Sequence, residues 1–165
     1  VTEQSPIQEA STPYGYTKQV CEKILQDSCK VNQSVKIVLL RYFNPIGAHE
    51  SALIGELPLG PPANLIPFLT QSVAGLRGPL QVWGTDYPTP DGTAIRDYIH
   101  VVDLAKAHIS AMQRLLEGRN KTKMEFFNVE VIADCPTTVS KLSGRYFLAE
   151  TTKFSISANV RKKVV

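Results

Sequence analysis

Tyr14 and Lys18 stand four residues apart, the spacing that puts two side chains on one face of a helix. An ammonium held beside a phenol favours the phenolate, the form in which a tyrosine acts as a general base. Spacing alone is a weak signal, because the same pair also arises on solvated helix faces that do nothing. His49, His100 and His108 show no metal-ligand spacing, and Cys21, Cys29 and Cys135 contain no C-x-x-C, so no metal site is predicted.

The elements that must position such a pair follow from the apolar pattern. Residues 1–13, with Pro6 and Pro13 among polar side chains, read as loop. Val20, Cys21, Ile24 and Leu25 mark an apolar stripe on a helix over about residues 14–30. Residues 35–42 form a short β-branched and aliphatic run, the pattern of a parallel strand covered on both faces. Helix followed by buried strand is half of an α/β repeat.

From residue 44 to 91 the chain holds eight of its eleven prolines and six glycines, which predicts long loops carrying function. Within them, residues 64–74 read as a helix with Asn64 as N-cap and Gly75 as its stop, and 80–83 as a short strand. Residues 94–101 alternate as an extended segment, with Arg96, Tyr98 and His100 on one side. Asp103 opens an amphipathic helix whose buried face is Leu104, Ala107, His108, Ala111, Met112 and Leu115, closed by Gly118. Residues 125–129 are a further strand, and beyond them no sustained period appears.

The 165 residues are enough for one soluble domain, with 43% hydrophobic side chains. The net charge of +3 is uneven: residues 1–129 carry 12 basic and 12 acidic side chains, and residues 130–165 carry 6 and 3. A chain neutral over most of its length does not coat phosphate backbones, so no nucleic-acid partner is expected. No apolar run approaches the ~18 to 20 residues that span a bilayer, and residues 1–6 lack the pattern of a secretory signal. The odd cysteine count fits reduced thiols, and the expectation is a cytoplasmic protein without a membrane partner. The chain opens on Val1 in a loop-like stretch and reads as cut from something longer.

Four blocks occur in order: Pro13-Tyr14-Gly15-Tyr16-Thr17-Lys18, Arg41-Tyr42-Phe43-Asn44-Pro45-Ile46-Gly47-Ala48-His49, Asn64-Leu65-Ile66-Pro67, and Asp91 through Ala105 containing Arg96-Asp97-Tyr98-Ile99-His100. Their order and spacing resemble the UDP-glucose 4-epimerase family of the extended short-chain dehydrogenase/reductases, over about residues 6–129. The resemblance implies an α/β fold: an incomplete Rossmann-type, doubly wound and mainly parallel sheet with part of the sugar-nucleotide-binding region. Residues 1–129 would be the C-terminal half of the NAD-binding domain interleaved with the substrate region, and 130–165 a divergent tail. It also implies an isomerase of galactose metabolism that interconverts UDP-glucose and UDP-galactose through a 4-keto sugar, with NAD as cofactor.

By position, the resemblance makes Tyr14 the catalytic base and Lys18 its partner, both also touching the cofactor. Tyr42 and Phe43 would lie beside the nicotinamide, at the C-terminal end of a strand where open α/β sheets place ligands. Asn44 would contact the sugar nucleotide with an amide that donates and accepts, although Asn before Pro is also common turn chemistry. Asn64 and Leu65 would open a helix facing the diphosphate, and Gln81, Val82 and Trp83 would run past the uracil, Trp83 replacing the family's usual Phe. Arg96 would pair with phosphate oxygens, in competition with Asp86, Asp91 and Asp97. The family is homodimeric through the helix that bears the tyrosine.

Two departures limit the resemblance. The Gly-rich turn for the NAD pyrophosphate has no counterpart among the ten glycines, and the family's catalytic Ser or Thr would lie before Val1. After Val129 the chain reads Glu130-Val131-Ile132-Ala133-Asp134-Cys135-Pro136 where the family has a Gly-Thr-Gly turn and a helix. The 165-residue chain on its own is therefore expected to bind NAD poorly and to turn over little. Another sugar-nucleotide dehydratase or decarboxylase, or a non-catalytic remnant that pairs with a full-length subunit, are the alternatives.

Overall fold

The computed structural model describes residues 2–129; the expected tail at 130–165, with Cys135, lies outside the described residues. Three helices and four strands follow in the order α1 (Pro13–Val31), β1 (Ile37–Tyr42), β2 (Asn44–Ile46), α2 (Leu65–Val73), β3 (Tyr98–His100), α3 (Val101–Leu116) and β4 (Met124–Val129). β1 pairs in parallel with β4, from Ile37↔Met124 to Tyr42↔Val129, and β2 pairs in parallel with β3, from Asn44↔Tyr98 to Ile46↔His100. Only Phe43 separates β1 from β2, so the chain passes directly from one parallel pair to the other.

Side-chain alternation along β1 and β4 assigns each face a helix. On one face Arg41 donates to both carboxylate oxygens of Glu22 on α1, at 2.8 and 2.7 Å, and its guanidinium lies 4.8 Å from the Phe126 ring centroid. On the other face Arg114 of α3 donates to both oxygens of Glu125, at 2.6 and 2.9 Å, and stacks 5.6 Å from Phe127. Helices on both faces of a parallel sheet make the doubly wound arrangement the sequence implied. Both pairs are mostly covered, so salt screens them less than Lys23–Asp27 or Lys106–Asp103 on the open helix surfaces.

Thr12 starts α1, its hydroxyl accepting from Gly15 N–H at 3.1 Å, and Pro13 occupies the first turn, where a missing N–H costs nothing. At the other end Cys29 Sγ reaches Val35 O at 3.6 Å. Glu22 against Arg41 and Cys29 against Val35 mean that α1 runs antiparallel to β1. α3 ends in a Schellman motif: Gly118, at φ +67, donates to Leu115 O while Arg119 N–H reaches back to Arg114 O.

Several expectations need correction. The apolar stripe of α1 is not its buried face: Val20, Cys21, Ile24 and Leu25 are exposed, and Glu22, Gln26 and Cys29 turn toward the sheet. The stretch 80–83 is not a strand, because only Val82 bridges, and 94–101 shortens to a bridge at Arg96 and then β3. α3 begins at Val101, two residues before Asp103, because His100 Nδ1 accepts from Val102 N–H at 3.2 Å and caps the helix. Met112 and His108 of the expected buried face of α3 are exposed, while Leu104 is buried with Ile46, Leu69 and Ile99 in the core beneath β2 and β3. No described helix is long and apolar enough to cross a membrane.

Candidate active site

Alongside β2, the start of β3 and the first turns of α2 and α3 the chain leaves a cavity of about 830 Å³, within the size range of small-molecule sites. Asn44, Asn64, Leu65, Gln81, Val82, Trp83 and Arg96, predicted from four separate stretches of sequence, all line it. Asn44 starts β2 and is anchored there: its Nδ2 and its backbone N–H both donate to Asp97 O, at 2.9 and 3.3 Å. Arg96 precedes β3, and its Nη1 donates to Ile95 O at 3.0 Å. Its guanidinium lines the cavity, where it offers N–H donors to an anion.

α2 presents its N-terminus to the same space. Asn64 stands at the N-cap with extended backbone and makes no side-chain cap bond, so the amide instead donates to Glu56 Oε1 at 3.5 Å. The first N–H groups of the helix, at Leu65 and Ile66, thus remain uncapped by any side chain beside the cavity. Trp83 forms part of the rim, with its indole 85% exposed and available to a flat ring.

Tyr14, Lys18, Tyr42 and Phe43 do not line this cavity. Tyr14 and Lys18 do meet: Lys18 Nζ lies 5.1 Å from the Tyr14 ring centroid. Lys18 makes no hydrogen bond or ion pair among the described residues, so its ammonium donors are open, and the Tyr14 ring is 71% exposed. Because α1 runs antiparallel to β1, Lys18 and Tyr14 lie one and two turns past Glu22, about 6 and 12 Å along the axis. That is the end of the sheet where β1 delivers Tyr42 and Phe43. Tyr42 packs toward α3, its ring 6.2 Å from His108.

Lys18 Nζ beside the Tyr14 phenol leaves an ammonium with open donors on the exposed face of α1. Among the described residues no cluster of three His, Cys, Asp or Glu is arranged to hold a metal ion.

Sequence reasoning missed Tyr98, which lines the cavity beside Arg96 and whose phenol is pushed up by burial, with the Arg96 charge acting in the opposite direction. Its place two residues after Arg96 on an alternating segment was the available signal. It also missed the loop at Ile54, Gly55 and Glu56, whose wall position only the tertiary course reveals.

The model of the NAD dependent epimerase/dehydratase family matches residues 1–129. The chain belongs to that family. Its sequence is 54% identical over 112 residues to a UDP-glucose 4-epimerase of Neisseria meningitidis, covering 68% of this chain and 33% of that protein. It is 50% identical over 127 residues to the Drosophila melanogaster UDP-glucose 4-epimerase, covering 77% and 35%. Among solved structures, the UDP-glucose 4-epimerase of Bifidobacterium longum in complex with NAD+ and UDP superposes with a TM-score of 0.72 at 47% identity, over 79% of this chain and 38% of that one. The chain spans about a third of the length of the curated relatives it matches.

Proposed function

We propose that this chain carries the UDP-sugar cavity and the proton-handling pair of a UDP-glucose 4-epimerase, an NAD-dependent isomerase of UDP-glucose and UDP-galactose in galactose metabolism. The observation that carries the reading is the convergence of the seven predicted sugar-nucleotide residues on one cavity. The similarity to epimerases, one of them solved with NAD+ and UDP, supports it.

In this reading Arg96 and the uncapped N-terminus of α2 take the diphosphate, one with directed N–H bonds and the other with backbone donors and the helix dipole. Trp83, with Gln81 and Val82, lies along the uracil. Asn44, held by Asp97, offers its carbonyl oxygen to a sugar hydroxyl. Tyr14 takes the proton of the sugar 4-hydroxyl and returns it after the 4-keto sugar has turned over, and Lys18 holds the phenolate by charge. When bound, NAD supplies the reversible acceptor for the hydride at C4. The reading extends to a homodimer and a cytoplasmic setting, supported by the exposed Tyr16, Val20 and Ile24 on α1 and by the free thiols of Cys21 and Cys29.

Trp83 is the one tryptophan of the sequence, which makes it a reporter for the test. Titration of the chain with UDP should give a saturable change in tryptophan fluorescence, and Arg96→Ala should weaken it by about 10- to 100-fold, as for a lost bond to a charged partner. No saturable change, or an unaltered affinity in the variant, would sink the reading.

A further inference from the structure

We propose that His100 is a pH-sensitive latch: its neutral imidazole caps α3 and so holds one wall of the cavity, and protonation of Nδ1 releases the start of the helix. The proposal stands on the geometry of the cap, so it holds or falls independently of what the cavity binds.

His100 ends β3 and is at the same time the N-cap of α3, with extended backbone at φ −69 and ψ 133. Its Nδ1 accepts from Val102 N–H at 3.2 Å, which satisfies one of the open amides of the helix start. The residues that commonly fill this position, Ser, Thr and Asn, offer an oxygen that accepts at every ordinary pH. An imidazole nitrogen accepts only while it carries no proton. Once Nδ1 is protonated, two N–H donors face each other, and a full positive charge stands at the positive end of the α3 dipole.

The ring is held in place. His100 pairs in register with Ile46, and its Nε2 edge lies against Gly47, where a Cβ would come within 2.6 Å. Few charged groups surround it. β2 carries none between Asn44 and Ile46, His49 beyond it is engaged with Ser51 Oγ at 2.8 Å, and α2 carries none. On its own segment Arg96 and Tyr98 alternate onto the side of His100. α3 brings Asp103 in its first turn, the carboxylate accepting from Lys106 Nζ at 3.4 Å. Arg96 opposes a further positive charge and Asp103, shared with Lys106, favours one, which leaves the cap bond to decide the direction. The uncapped helix start takes up a proton at Nδ1 and the capped one excludes it, so acid favours the uncapped form. Val101, Val102 and Ala105 of the first turns line the cavity together with Gly47 and Ala48, and the latch thereby sets the shape of that wall.

The test follows the full chain from about pH 8 to about pH 5, the range in which histidines change charge. In the wild type the Val102 amide resonance, read by heteronuclear NMR, should move with the same midpoint as the His100 ring protons. Asn caps throughout this range, so in His100→Asn the Val102 amide should stay in place, and the urea midpoint should fall less on acidification than in the wild type. His49 and His108 are common to both chains and cancel in the comparison. A Val102 amide that holds still while the His100 ring titrates would overturn the latch, as would an equal fall of the urea midpoint in the two chains. The wild-type resonances decide the matter even if His100→Asn does not fold.

Discussion

Gly47 is where the site depends on a missing side chain, and replacing it by alanine has a calculable effect. The residue ends β2 at φ +93, and a Cβ built there would lie 2.6 Å from His100 Nε2 and 2.7 Å from its Cδ2. Alanine held at positive φ costs about 1–2 kcal/mol. The His100 ring cannot retreat freely, because Ile46↔His100 is a register pair and the ring's Nδ1 caps α3 through Val102 N–H. Displacing it breaks that cap, at about 1 kcal/mol. Gly47→Ala should therefore destabilise the chain by about 2–3 kcal/mol, lowering the thermal midpoint on the order of 10 °C. Urea unfolding followed by far-UV circular dichroism measures this for Gly47→Ala, His100→Ala and the double variant. With the ring removed only the backbone cost remains, so Gly47→Ala should lose roughly 1 kcal/mol of its effect in the His100→Ala background. An effect of Gly47→Ala within about 0.5 kcal/mol of zero, or one equal in both backgrounds, would refute the reasoning.

Other consequences are as direct. The Glu125 carboxyl is lowered from 4.5 to about 2, chiefly by its hydrogen bonds from Arg114 and then by the Lys121 N–H. A depressed carboxyl stabilises the fold fully above its unfolded value, and the contribution fades as pH falls from about 4.5 to 2. Acid unfolding of Glu125→Gln, followed by circular dichroism, should show less pH dependence across that window than the wild type. Ile99 is 3% exposed between β2 and α3, so Ile99→Ala should cost about 2–5 kcal/mol and Ile99→Val about 0.5–1.5 in denaturant titrations. Cys21 is exposed and Cys29 buried, so a thiol-reactive dye should label Cys21 in the folded chain and reach Cys29 only on unfolding. Mass spectrometry of the labelled peptides reads both.

The fold was most legible where local and tertiary demands agree. α1 and β1 are long enough for their periodicity to identify them, and Gly118 ends α3 because only a residue tolerant of positive φ closes that Schellman turn. The Ser/Thr/Pro rules would also have put the start of α1 at Thr12 and Pro13. The buried face of α1 was misread because its sheet contact is ionic and polar, through Glu22 and Cys29, whereas the apolar residues that suggested a core face are exposed. Periodicity reports where apolar residues are and not which face is covered. Residues 80–83 were misread because β propensity describes fit to a pleated neighbour, and here only Val82 has one.

By itself the sequence determined the chemistry on offer: a tyrosine and a lysine four apart, an arginine among acidic neighbours, two asparagines beside prolines and apolar runs, and blocks in an epimerase-like order. It also determined the helix that carries Tyr14 and Lys18 and the one that Asn64 caps, since helix periods are local properties, whereas β2, which Asn44 opens, fell in a stretch that reads as loop. Which of those groups share a space was decided by tertiary structure. The parallel pairing of β2 with β3 sets Asn44 beside Tyr98, 54 positions later in the chain, and seats Arg96, α2 and Trp83 around one cavity. The same folding puts the Arg96 guanidinium on the cavity wall with its Nη1 donating to Ile95 O, a matter of backbone direction that composition does not carry. Register and helix direction join residues far apart in sequence, and that is why the pocket became visible only in three dimensions.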